Sequence, residues 1–462
     1  MASPDTAAKT LSRRDISLYA ISAILLVDQI ALSAAVGQSA LFWWLVVILL
    51  FLLPNTLVTA ELGTRYPEQG GIYAWVKRAF GPRWGARITW LYWINIALWM
   101  PAIFLMFAGV FSALFWPDMT LWQQVLMGVA LCWLTALVNS LPLGISKWIP
   151  NLGTPLKFLV ILVLGVGGLL YGLREGFAND LSLATALADP WAGLAYLPVI
   201  VYGCLGVELV SAESERISEP RRNVPRAMLT AGLVTAAFYL FGTLGVLAAV
   251  PAEEIDMVTI IAVSMQRLFG DSPLGQWLAM GLGAAALATF FATMVTWTLG
   301  GNRSMAEAAK AGEMPALLAW QPRGHRAPLG AALMTSLVGS AVLLIYGLSA
   351  LAAEALFWTL FSFGAIIFLL PYLAMHLAFL RLRSEGGEAA GVQGFRAPAG
   401  PLLSALCLLV LGAAILLFFW VPGEPLDGGF LMQVGLGVGL TLVIGEVLVH
   451  RGERRARSAA LP

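Results

Sequence analysis

Apolar runs of roughly 20 residues recur along the whole chain, each long enough to cross about 30 Å of hydrocarbon as a helix. They lie near residues 16 to 38, 41 to 62, 86 to 115, 122 to 141, 149 to 172, 193 to 213, 227 to 250, 275 to 299, 329 to 349, 353 to 380, 401 to 421 and 429 to 449. A water-soluble domain has no place for so many unbroken oily segments. Composition agrees: 59% of the 462 residues are hydrophobic and 11% charged, and mean hydropathy is +0.83. The expected fold is an all-α polytopic membrane protein with twelve transmembrane helices.

Twelve spans put both termini on one side. With the N-terminus cytoplasmic, 25 of the 27 Lys and Arg residues lie in cytoplasmic segments or near helix ends on that face, Arg174 and Arg267 being the exceptions. The positive-inside bias therefore sets residues 1–15 and 450–462 as cytoplasmic tails. The outer connections, "FWPDMTLW", "VPAEEIDM" and "PGEPLDGG", carry mostly acids. The formal net charge of +1 hides this asymmetry and gives no reason to expect a nucleic-acid partner. Residues 1–15 show no cleavable signal pattern, and the short tails suit the inner (plasma) membrane of a prokaryote. Cys132, Cys204 and Cys407 sit inside apolar spans without metal-type spacing, and the histidines are scattered, so no disulfide, metal, cofactor or redox chemistry is expected. An intramembrane enzyme would need a nucleophile, a metal set or a cluster of acids and histidines on neighbouring spans, which the sequence does not offer.

A charge inside the bilayer costs at least ~2.5 to 3.5 kcal/mol on insertion scales, so each one calls for an explanation. Asp28, next to Gln29 in "SAILLVDQIALSAAVG", and Glu208 lie deep in the first and sixth spans, Lys157 lies about two turns into the fifth, and Asn95 is in the third. If the first ten spans divide into two groups of five, the first and sixth open each group. In transporters built as inverted repeats, those helices are broken near the midplane and their free backbone groups coordinate substrate. "VYGCLGVELVSAES" fits, with Gly203 and Gly206 flanking the expected break. The first span has the polar pair and small residues from Ser33 to Ala35, but its one glycine is Gly37.

The first cytoplasmic loop, "AELGTRYPEQGGIYAWVKRAFGPRWG" (60–85), resembles the signature of the amino acid-polyamine-organocation (APC) superfamily of secondary transporters. "GVELVSAESERISEPRRNVPRAM" (206–228) is similar to the superfamily's sixth helix and following loop, and "WTLGGNRSMAEAAKAGEMP" (297–315) resembles the end of its eighth helix. The resemblance implies the LeuT-type 5+5 fold: inverted repeats at 16–172 and 193–380, then two further helices at 401–449. Within the first loop, Pro67 is expected to stop a helix and Gly70 and Gly71 to give a turn. "IYAWVKRAF" reads as amphipathic, with Lys77 and Arg78 available to phosphate headgroups, or as a surface helix with no transport role.

The resemblance also implies roles, each beside a plainer one. Glu208 resembles a glutamate of arginine/agmatine, putrescine and glutamate/GABA exchangers that attracts a substrate amine or binds a proton; alternatively it only satisfies N–H groups at a helix break. Tyr202 and Trp297 match aromatic positions able to hold a cation, a contact worth ~1 to 2 kcal/mol, or they are ordinary core or interface aromatics. Asn95 and Ser362 resemble polar contacts of the same pocket, or form interhelical hydrogen bonds. Lys157 resembles the lysine that occupies a sodium position in sodium-independent members, or it snorkels to the surface.

In the family the first-helix break is usually a Gly-Ser-Gly run whose backbone receives a substrate carboxylate. Here Ala31, Leu32 and Ser33 are expected to stand in that place, where their side chains would crowd a substrate. Asp28 adds an acid, which repels a carboxylate and attracts an amine; alternatively it caps the half-helix or pairs with Lys157. The sequence therefore points to a sodium-independent exchanger or permease with a preference for diamines, polyamines or basic amino acids. The alternatives are a neutral or acidic amino-acid exchanger and a transport-inactive sensor with the same fold. Expected partners are the small-molecule substrate, protons and membrane lipids, with the protein a monomer or homodimer.

Overall fold

The computed structural model describes residues 21, 24–66, 70–141, 148–209, 220–321, 328–385, 394–423 and 425–459. Pro67 and the stretch from 210 to 219, which figured in the sequence motifs, lie outside these residues. The described chain is almost wholly helical.

After a gap at Leu25 to Val27, α1 (Asp28–Ala34) begins. α2 (Ala40–Val47), a π-turn (Ile48–Leu52) and α3 (Leu53–Arg65) together make one span. The widened turn precedes Pro54, which has no N–H to give to the turn before it. Next come α4 (Ile72–Phe80), α5 (Pro82–Phe115), α6 (Leu121–Ser140), α7 (Trp148–Glu175), the short α8 (Leu183–Ala188) and α9 (Leu197–Gly203). The remainder is α10 (Pro220–Ala249), α11 (Ile260–Phe269), α12 (Pro273–Lys310), α13 (Leu329–Gly347), α14 (Ala353–Ser384), α15 (Gly400–Phe419) and α16 (Gly428–Ala459).

Among the described residues, 10 helical stretches are long and apolar enough to cross a membrane. The other two expected spans, 16–38 and 193–213, are described only in part, and the described part of each is interrupted, at Leu25 to Val27 and after Gly203. The chain is thus a polytopic all-α membrane protein. α5 packs along both α12 and α14 at the centre. The spans of α5 and α14 are 72% and 78% buried, against 28% for α15 and α16, which lie at the periphery.

Small residues allow the closest helix crossing. A Cβ on Gly168 of α7 would sit 1.9 Å from the carbonyl oxygen of Gly245 on α10, so neither position admits a side chain without separating the two helices.

Gly70 and Gly71 adopt φ of +119° and +53° and turn the chain into α4, as their sequence suggested. The apolar face of α4 is not spent on lipid. Ile72, Trp75, Val76 and Ala79 are buried, and the helix packs on α5 and α14. Lys77 likewise turns to protein: its Nζ lies 2.7 Å from the Tyr73 hydroxyl and 2.9 Å from Glu313 Oε1, beyond the end of α12. Those two partners push the ammonium up to about 12. Arg78 lies over the Tyr66 ring at 4.8 Å.

Candidate functional site

Leu25, Leu26 and Val27 leave the helical path, and a tyrosine from α10 takes up the exposed backbone. The Tyr239 hydroxyl donates to the Ile24 carbonyl at 2.7 Å and accepts the Leu26 N–H at 3.0 Å. The break therefore falls before Asp28, and the expected position at Ala31, Leu32 and Ser33 is corrected. Those three residues are helical and fully buried. The carbonyls of Ala31 and Ser33 accept the N–H groups of Ala35 and Val36. Alanine-rich sequence favours a continuous helix there, whereas the hydroxyl of Tyr239 removes the cost of opening it about two turns earlier.

The second break is built alike. α9 ends at Gly203 and the chain turns through Cys204 and Leu205 to Gly206, whose φ of +97° suits only glycine. The Gly206 N–H donates to the Tyr372 hydroxyl of α14 at 3.0 Å, and that hydroxyl donates to Glu208 Oε1 at 2.7 Å. The Tyr92 hydroxyl of α5 donates to the same carboxylate oxygen. Glu208 thus joins the broken sixth helix to α5 and α14.

The half-helices also meet each other. Gln29 Nε2 donates to the Val199 carbonyl at 2.7 Å. Gly203 makes room for this contact, since a Cβ there would fall 2.8 Å from the Gln29 amide. Asp28 is buried, and its Oδ2 has no hydrogen-bond partner among the described residues. Lys157 of α7 and the hydroxyls of Tyr202 and Tyr239 lie within electrostatic reach of it. Lys157 is itself 6% exposed, so it does not snorkel to a surface.

Tyr202 and Trp297 enter one aromatic cluster through two rings that both touch. Trp99 lies 6.4 Å from Tyr202 and 5.7 Å from Trp297; Phe368 lies 5.5 Å and 6.2 Å from them. Asn95 sits between Tyr92 and Trp99 on α5, three and four residues from each, on the same face. It is 1% exposed and its Oδ1 has no partner among the described residues. The hydroxyls of Ser33 and Ser362 are also buried without one among those residues. Trp297 is only partly buried.

The structure so brings together Asp28, Gln29, Gly203, Gly206, Glu208, Lys157, Tyr202 and Trp297. It leaves Ala31 and Leu32 in the apolar core and, among the described residues, makes no hydrogen bond to the Ser362 hydroxyl. Sequence reasoning missed Tyr92, Trp99, Tyr239, Phe368 and Tyr372. For Tyr92 and Trp99 a signal existed, their spacing from Asn95; for the others none did.

Two broken helices, acids buried beside the breaks and an aromatic cluster between them define a membrane transporter rather than an enzyme. The comparison with known proteins is in accord. The amino acid permease family model matches residues 11–441, and the chain belongs to that family. It is 31% identical over 438 residues to a probable agmatine/putrescine antiporter, AguD, of Lactococcus lactis subsp. lactis, covering 94% of this chain and 93% of that protein. It is 27% identical to a transporter of Legionella pneumophila subsp. pneumophila over 89% of this chain and 90% of that one. The inner membrane transporter YjeM of Salmonella typhimurium is 28% identical over 44% of both chains.

Proposed function

We propose that the protein exchanges small cationic amines, diamines or guanidino-amines across the membrane by alternating access, without sodium. The observation that carries this reading is the condition of the first-helix break. The N–H of Leu26, which a substrate carboxylate would need, is already given to Tyr239. Two residues on, Asp28 offers a buried carboxylate oxygen with no partner among the described residues. A site that withholds a donor and presents an acid favours a ligand that has amines and no carboxylate. The relative described as a probable agmatine/putrescine antiporter supports the same substrate class.

In this reading Tyr202, Trp297 and their ring neighbours receive the cation, with Asn95, Ser33 and Ser362 as polar contacts from buried groups. Glu208 stands by as the second acid. Lys157 supplies the fixed positive charge that a sodium ion would otherwise supply, opposite Asp28. The repeats at 16–172 and 193–380 move against one another around this site, and the face with Arg65, Lys77 and Arg83 is cytoplasmic, as are both termini.

The test is counterflow in sodium-free proteoliposomes with agmatine, putrescine, arginine, alanine and glutamate. Uptake confined to the amines and abolished in Asp28→Asn is expected. Uptake of alanine or glutamate that survives Asp28→Asn would overturn the amine preference and leave Asp28 a structural group.

A further inference from the structure

Away from the broken helices, a groove with a volume of about 690 Å³ runs between α5, α13 and α16. Along α13 it is lined from Met334 through Val338 and Val342 to Tyr346, about 18 Å of helix, with Ser349 just beyond the helix end. α16 lines it over a similar length, from Gln433 to Leu448. The two helices are bridged at one end, where the Tyr346 hydroxyl donates to the Gln433 carbonyl at 2.9 Å. About halfway along the groove α16 is tied to α5: the Trp90 Nε1 donates to the Thr441 carbonyl at 3.0 Å. The hollow has apolar walls, and the Tyr346 hydroxyl, the Trp90 Nε1 and the Ser349 and Thr441 hydroxyls at its edge are already bonded.

All three helices are membrane-spanning stretches, so the medium at the mouth of the groove is hydrocarbon. Water would find no partners inside. The groove passes through more than one leaflet, since one lipid chain covers about half of 30 Å. The basic end has a headgroup level of its own. Just beyond Leu448, His450 and Arg451 are exposed on α16. The acids nearby are occupied: Glu446 pairs with Arg83 and with Arg87 at 2.9 Å, and Glu453 lies 3.7 Å from Arg83.

We propose that this groove is a binding site for one anionic phospholipid, its acyl chain between α13 and α16 and its phosphate at Arg451. Such a lipid would fill a space between the central α5 and the peripheral α16 that the side chains leave open. The proposal is independent of which substrate the protein carries.

The test is native mass spectrometry of the detergent-purified full chain, before and after adding phosphatidylglycerol or phosphatidylethanolamine. One phospholipid per chain is expected, with phosphatidylglycerol retained at least fivefold better. Val338→Trp, which fills the groove, should cut retention at least tenfold. Arg451→Gln, on an exposed position that leaves folding untouched, should remove the headgroup preference while chain binding persists. Equal retention by wild type and Val338→Trp, or an undiminished preference in Arg451→Gln, would overturn the assignment. So would a loss of dimer mass in Val338→Trp, which would make a second copy of the chain the occupant.

Discussion

The Tyr239 hydroxyl lies 2.7 Å from the Ile24 carbonyl and accepts the Leu26 N–H at 3.0 Å, so a single side chain on α10 holds the first helix open. Tyr372 repeats the device at the sixth helix, with a carboxylate in place of the carbonyl. An unpaired buried backbone group costs about 1 to 3 kcal/mol. Tyr239→Phe keeps the ring and orphans both groups at the first break. Its melting temperature in detergent should fall below wild type by clearly more than that of Tyr171→Phe, whose phenol lies outside the site. Equal melting would mean the break does not depend on the hydroxyl.

Glu208 accepts hydrogen bonds from two tyrosines on two other helices. Hydrogen bonds to a charged group contribute about 1.5 to 3 kcal/mol each, and partners of one acceptor couple. Tyr92→Phe and Tyr372→Phe should each slow exchange, and the double substitution should cost less than the two losses added together. The double-mutant cycle is read from counterflow rates. Strict additivity would show that the two hydroxyls act separately.

The spans, the second break and most of the buried polar residues were legible in the sequence, because apolar length, glycine pairs and isolated charges are local signals. The first break was misplaced by about two turns. Nothing local marks Leu25 to Val27 as non-helical; what opens the chain there is Tyr239, more than 200 residues away. The same reason hid Tyr372 and Phe368, which read as ordinary apolar-span aromatics until the Phe368 ring, in contact with Tyr372, meets Tyr202 and Trp297 from other helices. The face of α4 was legible as amphipathic, but its partner, protein rather than lipid, is a tertiary fact.

Lys77 is held first by the Tyr73 hydroxyl and then by Glu313, and is raised from 10.5 to about 12. A lysine whose folded value lies above its unfolded one contributes stability that is fully present below 10.5 and is lost as pH climbs through about 12. Lys77 therefore keeps its charge across the window from about pH 5 to pH 9. Lys77→Met should lower thermal stability by a similar amount at both ends of that window and leave the shape of the uptake-pH curve unchanged. A curve that shifts in Lys77→Met would make this contact part of the pH response.

Phe368 touches four rings, Tyr92, Tyr202, Trp297 and Tyr372, at centroid distances of 5.4 Å, 5.5 Å, 6.2 Å and 5.4 Å. Trp297 and Tyr92 are the members of this cluster that are only partly buried, and of the two Tyr92 is already bonded to Glu208, which leaves Trp297 as the open one. If a cation rests on the rings, removing the open one costs ~1 to 2 kcal/mol, or about 5- to 30-fold in half-saturation concentration. Trp297→Leu should show that loss for a diamine, and Trp297→Phe, which restores a π-face, should recover part of it. Phe368→Leu acts through its neighbours instead. It lets Tyr202 and Trp297 move, so it should lower maximal exchange as well as affinity. Concentration dependence of putrescine counterflow for the three variants separates these effects. The same half-saturation in Trp297→Leu as in wild type would mean that the rings pack the core and that the acids alone hold the amine.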